Sequence, residues 1–247
     1  MKIRAVNTAA DSENKIHDDA VAAQYGFRGG LVPGVTVYGY LASGVIEHFG
    51  EKWLERGAMD VRFHKPVYEG EEVAVEICEE SDSRVRAEIA GCASGIAWLH
   101  QESAPAVTEI PFDAQRAPSR ERLAPGTILG SLHETIGAAQ TKMSAPLDPS
   151  IGGRVHPAAL LSLSNEILFR NFALGPWIHV ASEVRKFSAA REGESIRVTA
   201  QVEDRFEKKG HEFVVLQVRV ESESGRLIEA VRHSAIWKPR PVTGPVN

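Results

Sequence analysis

Residues 34–50 read GVTVYGYLASGVIEHFG, and the fold turns on this run. Built as a helix, it carries apolar side chains on nearly every face, with Gly39, Ala42, Ser43 and Gly44 as small residues among them. A helix apolar on most sides is buried on most sides. The prediction is a central helix of about four turns, opened by Pro33-Gly34 and enclosed by other elements.

Strand-like alternation follows it, over roughly 58–66, 71–79, 84–92 and 94–101, with Ser81-Asp82-Ser83 as a hairpin turn. Before it, IHDDAVAAQYGF (16–27) reads as a loop with a short polar helix. The same order then recurs. Val61-Arg62, six residues, and Glu69-Gly70-Glu71 reappear 123 positions later as Val184-Arg185, six residues, and Glu192-Gly193-Glu194. The same offset carries Pro33-Gly34 onto His156-Pro157, which open a second apolar run, PAALLSLSNEILFRNFAL (157–174). Pro157 takes the first helical position, where its missing N–H costs nothing. Strands are expected at roughly 180–189, 194–206, 212–222 and 226–237, with a turn at Glu223-Ser224-Gly225. The pattern is that of an ancient duplication. Its halves, 1–110 and 111–247, meet within ESAPAVTEIPFDAQRAPSRERLAP (102–125), a linker-like stretch rich in Pro, Ala and charge. Antiparallel strands wrapped round one buried helix, twice over, give an α+β class in which the two halves share a continuous sheet.

Composition narrows the functional classes. The 247 residues are 43% hydrophobic and 25% charged, as in ordinary globular proteins. A net charge of −5 argues against a nucleic-acid partner. No apolar run approaches the roughly 18–20 residues of a membrane helix, and MKIRAVNTAADSENK lacks the apolar core of a secretion signal. A cytoplasmic protein is expected. Cys78 and Cys92 are read as free buried thiols. No CxxC or HExxH pattern marks a metal site, and no GxGxxG after a strand marks a dinucleotide.

One segment carries more. Asn14-Lys15-Ile16-His17, five residues, Ala23, then Tyr25-Gly26-Phe27 and Leu31-Val32-Pro33-Gly34 resembles the signature of the MaoC-like dehydratases, the (R)-specific enoyl-CoA hydratases of the hotdog superfamily. RFHKPVYEGEEV (62–73) is similar to a second segment of that family. The resemblance implies a tandem hotdog and the interconversion of a 2-enoyl thioester with a 3-hydroxyacyl thioester of coenzyme A. It implies His17 as base, with Asp11 as its carboxylate partner and Asn14 positioning the group. A histidine suits the base role because its ordinary pKa lies near working pH. The carboxylate departs from the signature, which places it five residues before the histidine. Ser12 stands there, and Asp11 is one residue earlier; Lys15 replaces a proline.

Gly34 is the candidate donor to the thioester oxygen, through the free amides of a helix start. Arg28, followed by Gly29-Gly30, is the leading candidate to meet coenzyme A phosphates, with Arg62 and Lys65 behind it. No cofactor is implied beyond the coenzyme A of the substrate. The fused pair either stands alone or pairs again as a homodimer.

Plainer readings compete at each position. His17-Asp18-Asp19 also fits the start of a surface helix, and Asn14 a loop cap. Tyr38 and Tyr40 read as packing, and His64 as structural or surface. His156 either binds a thioester or caps its helix, and His179 reads as a core or edge residue. The offset sends His17 to Gln140 and Asn14 to Gly137, so a single active site in the first half is expected. The alternatives to a hydratase are a module that binds an acyl thioester or a partner subunit without turnover, or a thioesterase.

Overall fold

The computed structural model describes residues 1–112, 119–137, 151 and 153–241. In the first half, β1 (Lys2–Arg4) leads to a 3-10 turn (Lys15–His17), α1 (Asp19–Ala23), α2 (Gly34–Phe49) and α3 (Trp53–Arg56). Strands β2 (Gly57–Phe63), β3 (Glu72–Ser81), β4 (Arg84–Ile89) and β5 (Ala93–Leu99) follow. The second half runs β6 (Ile128–Thr135), α4 (Pro157–Asn171), β7 (Ile178–Lys186), β8 (Ser195–Lys208), β9 (His211–Ser222) and β10 (Leu227–Lys238).

All ten strands form one sheet in the order β1-β3-β4-β5-β2-β7-β10-β9-β8-β6. Each half is a five-stranded antiparallel hotdog on one central helix, and the second half reverses the order of the first. The eight strands and two long helices expected from the pattern are present. The edge strands β1 and β6 are not foreshadowed: the three residues of β1 are too few for alternation to register, and the eight of β6 carry a run of four buried residues instead of alternation.

The repeat is visible at the level of single bonds. Where the halves meet, β2 pairs antiparallel with β7, and Asp60 lies opposite Glu183. These two residues are themselves 123 positions apart, so a pseudo-twofold axis passes between them. Gly70 and Gly193 both turn in the left-handed region, with φ of 77° and 81°. The amide of Val32 donates to the carbonyl of Val67 at 2.9 Å, and that of Val155 to Ala190 at 2.9 Å.

The copies differ in the loop before the central helix. Between equivalent sheet bonds, 26 residues separate Ala5 from Val32, but only 18 separate Ile136 from Val155. The longer loop carries the 3-10 turn and α1. Gln140 lies outside the described residues.

Both helices feed one continuous core. Val35, Tyr38, Leu41 and Val45 of α2 and Leu160, Leu161, Leu163 and Ile167 of α4 belong to the same buried cluster. Each such aliphatic side chain contributes about 1.5–3 kcal/mol by leaving water. A small satellite of Ile16, Ala22 and Leu31 packs with Tyr25, Phe27 and Ile178, and it pins the first-half loop against the start of β7. Both cysteines are free, but Cys78 is exposed and Cys92 half-buried, which corrects the expectation of buried thiols. Cys78 falls in the outer reach of β3, where the burial pattern has given way to solvent. Among the described residues, no helix is long and apolar enough to cross a membrane.

Candidate active site

The loop before α2 is a chain of caps. The Asn14 side chain accepts from the Ile16 amide at the head of the 3-10 turn. Asp18 caps α1 by accepting from the Val21 amide at 3.0 Å. Asp19 then accepts from the Gly30 amide at 2.7 Å and folds the far end of the loop back. Gly30 passes so close to His17 that a Cβ there would lie 2.0 Å from the His17 carbonyl oxygen, so only glycine fits. The surface-helix reading of His17-Asp18-Asp19 is therefore half right: the two acids build the turn, and the histidine faces inward.

His17 Nδ1 lies 2.6 Å from the Leu31 carbonyl. A carbonyl only accepts, so Nδ1 carries the proton and Nε2 keeps its lone pair. Burial lowers the His17 pKa, and the Leu31 bond opposes this only in part. The ring is thus a neutral imidazole with a fixed tautomer, in which Nε2 is the acceptor. The Asn14 amide stands 3.4 Å from Nε2.

Asn14 is oriented from the other half of the molecule. It donates to the Trp177 carbonyl at 3.0 Å and accepts from the Trp177 amide at 3.1 Å. Trp177 sits just before β7, so the loop of one half is bonded to the strand entry of the other.

Two cavities meet at this point, sharing Asn14, His17, Pro33, Asn165 and Trp177 as walls. The first, of about 250 Å³, runs past Gly34, Phe63 and His179 towards His64, Lys65 and His211. The second, of about 560 Å³, is walled by Ala9, Ala10, Phe169, Phe172 and Leu174, with Asp11, Glu13 and Glu166 as its carboxylates.

Each residue singled out in the sequence can now be placed. Asp11 is exposed in a turn and shares the second cavity with His17; among the described residues no direct bond joins the two. Gly34 is the first residue of α2 and lines the first cavity, and Pro33 before it offers no side-chain cap to the leading amides. Arg28 is elsewhere: it pairs with Glu71 and lies 4.2 Å over the Tyr68 ring, outside the walls of both cavities. Tyr38 and Tyr40 are buried in the core. His64 bonds Ser94 at 2.9 Å and also lines the first cavity.

At the second helix start the arrangement is closed. His156 Nδ1 accepts from the Ala158 amide at 3.2 Å, capping α4, and Nε2 donates to the Ser43 hydroxyl at 3.2 Å. Burial, helped by Lys186, pulls its pKa down to about 3. The capping role is the one realised, and neither cavity at His17 reaches it. Phe63 of the open site has Lys186 as its repeat equivalent, and Lys186 forms a buried ion pair with Glu229 at 2.5 Å.

Trp177, Asn165 and Glu166 were not foreseen as site residues. The only signal was the repeat itself: the offset sets Trp177 against Leu54 and Asn165 against Ala42, and such asymmetries mark where the copies have diverged. His179, expected in the core or at an edge, is buried but forms part of the cavity wall beside Gly34.

Residues 11–97 match the profile of the MaoC like domain. No curated protein sequence matches the chain. Among solved structures, a conserved hypothetical protein of Mycobacterium tuberculosis with a double hotdog fold aligns over 96% of this chain and 93% of its own, at 14% identity and a TM-score of 0.63. A putative MaoC domain dehydratase from Chloroflexus aurantiacus aligns over 97% and 93%, at 10% identity and a TM-score of 0.62. An N-terminal dehydratase of the difficidin assembly line aligns over 86% of each chain, at 15% identity and a TM-score of 0.55. At these identities the likeness is one of fold.

Proposed function

We propose that this double hotdog, with its MaoC like domain over residues 11–97, hydrates a 2-enoyl thioester of coenzyme A to the 3-hydroxyacyl thioester and catalyses the reverse. The observation that carries the reading is the 2.6 Å contact of His17 Nδ1 with Leu31, which leaves Nε2 as the lone-pair acceptor, 3.4 Å from the Asn14 amide, on a ring that walls both cavities. A thioester spanning that junction places its reacting carbons beside the base.

In the hydration direction, His17 Nε2 takes a proton as water oxygen bonds to the β-carbon. The alkene electrons move through the α-carbon onto the thioester oxygen, which the leading amides of α2 at Gly34 stabilise. Removing one donor of this kind typically costs roughly 10²–10³ in rate. Asp11 holds the water and delivers a proton to the α-carbon; the proton left on His17 restores the carboxyl group. Asn14 keeps the imidazole and the water in register. The scheme calls for no metal or redox cofactor.

A second reading, thioester binding without turnover, is favoured by one observation: Asp11 is exposed and makes no bond to His17. The test follows the absorbance of trans-2-enoyl-CoAs of graded chain length. Hydration that falls by two or more orders of magnitude in both His17→Ala and Asp11→Asn is the expected result. Loss in His17→Ala and Glu166→Gln, with Asp11→Asn active, would move the carboxylate role to α4. No hydration at any length by a folded protein that binds acyl-CoA would leave the binding reading.

A further inference from the structure

The first cavity ends at a lysine and two histidines that the scheme above does not use. Lys65 and His64 follow β2 and line the cavity from the first half. His211 lines it from the second, at the tip of the β8–β9 hairpin. His211 Nδ1 accepts from the Arg240 amide at 3.0 Å, so its Nε2 carries the proton and is a donor. The Arg240 side chain lies against the same tip, within 2.9 Å of where a Cβ on Gly210 would stand.

The tip itself is unusual. Lys208 pairs with His211, leaving Lys209-Gly210 as a two-residue turn. Both residues have positive φ, 54° and 78°. Asn or Asp ordinarily takes the first of these places, and Lys209 is the one described non-glycine residue held there. The equivalent turn in the first half is Asp82-Ser83. The second-half strand is also longer, 14 residues against 10. One copy therefore has an extended hairpin with lysines at its end, and His211 of that tip lines the other copy's site.

These cations are unneutralised. Lys65, Lys208, Lys209 and Arg240 make no ion pair with any described residue, while the nearby Glu207 and Glu212 are engaged by Arg120 and Lys238. This stands out in a chain of net charge −5 in which most arginines are paired.

We propose that this mouth is a polyphosphate subsite that binds the nucleotide end of coenzyme A, so that the pantetheine arm occupies the first cavity and the acyl chain the apolar second one. The assignment rests on the thioester reading above and deepens it. Lys65 and the imidazole donor of His211, backed by the cations of the adjacent hairpin tip, match the diphosphate and additional phosphate of coenzyme A better than the single phosphodiester on a carrier protein. The subsite is built from both halves: Lys65 lines it from one and His211 from the other, with Arg240 and the hairpin lysines on the tip that carries His211. Arg28, tied to Glu71 and Tyr68, has no part in it.

The test is calorimetric titration of the whole chain with coenzyme A and with pantetheine, across a salt series. The expected result is coenzyme A binding at least about tenfold tighter than pantetheine, an advantage that shrinks as salt screens the mouth. The double variant Lys65→Glu/Arg240→Glu should erase that advantage, with its thermal midpoint as the check on folding. Equal affinity for the two ligands, an undiminished advantage in the variant, or binding of a phosphopantetheinylated carrier protein but not coenzyme A would overturn it. Coenzyme A binding as expected with no hydration of any enoyl thioester would sink the hydratase reading and leave the subsite standing.

Discussion

Asn14 and Trp177, 163 positions apart in the chain, are joined by two hydrogen bonds that pair the side-chain amide with both the N–H and the C=O of one residue. The side chain nearest the proposed base is thus held by the opposite half. Neither half alone presents His17 in its working surroundings.

Replacing Asn14 by Ala strips the partners from both backbone groups of Trp177. Loss of such partly buried bonds should lower stability by about 1–3 kcal/mol, read from the midpoint of urea unfolding. Asn14→Asp keeps an acceptor for the Trp177 amide but cannot donate to its carbonyl, and should fall between the two. An unshifted midpoint in Asn14→Ala would show that the pair carries no stability.

The acid limb of the hydration profile should report His17. The base must be neutral, and burial lowers its pKa below the ordinary histidine value of 6.5. Protonation therefore sets in at lower pH, and the midpoint of the acid limb of kcat/KM should fall below 6.5. A bend at or above 6.5 would contradict the geometry.

Acid should also unfold the protein early. His156 and His233 have pKa values lowered to about 3 in the fold, chiefly by burial, against 6.5 in the open chain. Between those values the unfolded chain binds protons that the folded one does not. Stability from these groups is full above pH 6.5 and is lost as pH falls towards 3, by up to about 1.4 kcal/mol per unit for each group. His156→Asn retains a helix cap without a titrating ring. Chemical denaturation at pH 7 and pH 5 should show a smaller drop in that variant than in the parent.

Lys186 and Glu229 should behave as an obligate couple. Both are buried, Glu229 has its pKa raised by that burial despite its partner, and Lys186 also lies 5.7 Å from the Trp53 ring. Lys186→Met strands a carboxylate in the core and should cost about 3–5 kcal/mol. Lys186→Met/Glu229→Leu removes both charges and should recover most of it. Denaturant titration of the single and double variants would show additive losses if the pair were not coupled.

Much of this architecture is legible in the sequence. The apolar girth of residues 34–50, the 123-residue offset and the alternation after each helix are local or repetitive signals, and the sheet follows from them. Within the site, the inward-facing His17, the shared cavity of Asp11 and the uncapped start at Gly34 were also within reach. What stayed hidden was contact between the halves. Nothing around Trp177 announces a partner 163 residues earlier, at Asn14, and nothing around Asn165 announces a place in the same cavity walls. Arg28 shows the converse: a basic residue beside two glycines looked available, but Glu71 and Tyr68 had already taken it, from a strand turn that local pattern does not bring near.

The seam at Asp60 and Glu183 also governs how the chain reaches this shape. Its five rungs join residues from 119 to 127 positions apart. The β3-β4-β5 and β8-β9-β10 meanders instead link close neighbours through short turns. Nearby pairings form sooner than distant ones, because less chain entropy is lost in closing them. On refolding, each copy should assemble its own meander and helix first, and the two should zip along β2 and β7 afterwards. Catalytic competence would then return later than secondary structure, since the walls around His17 exist only once the two copies have docked.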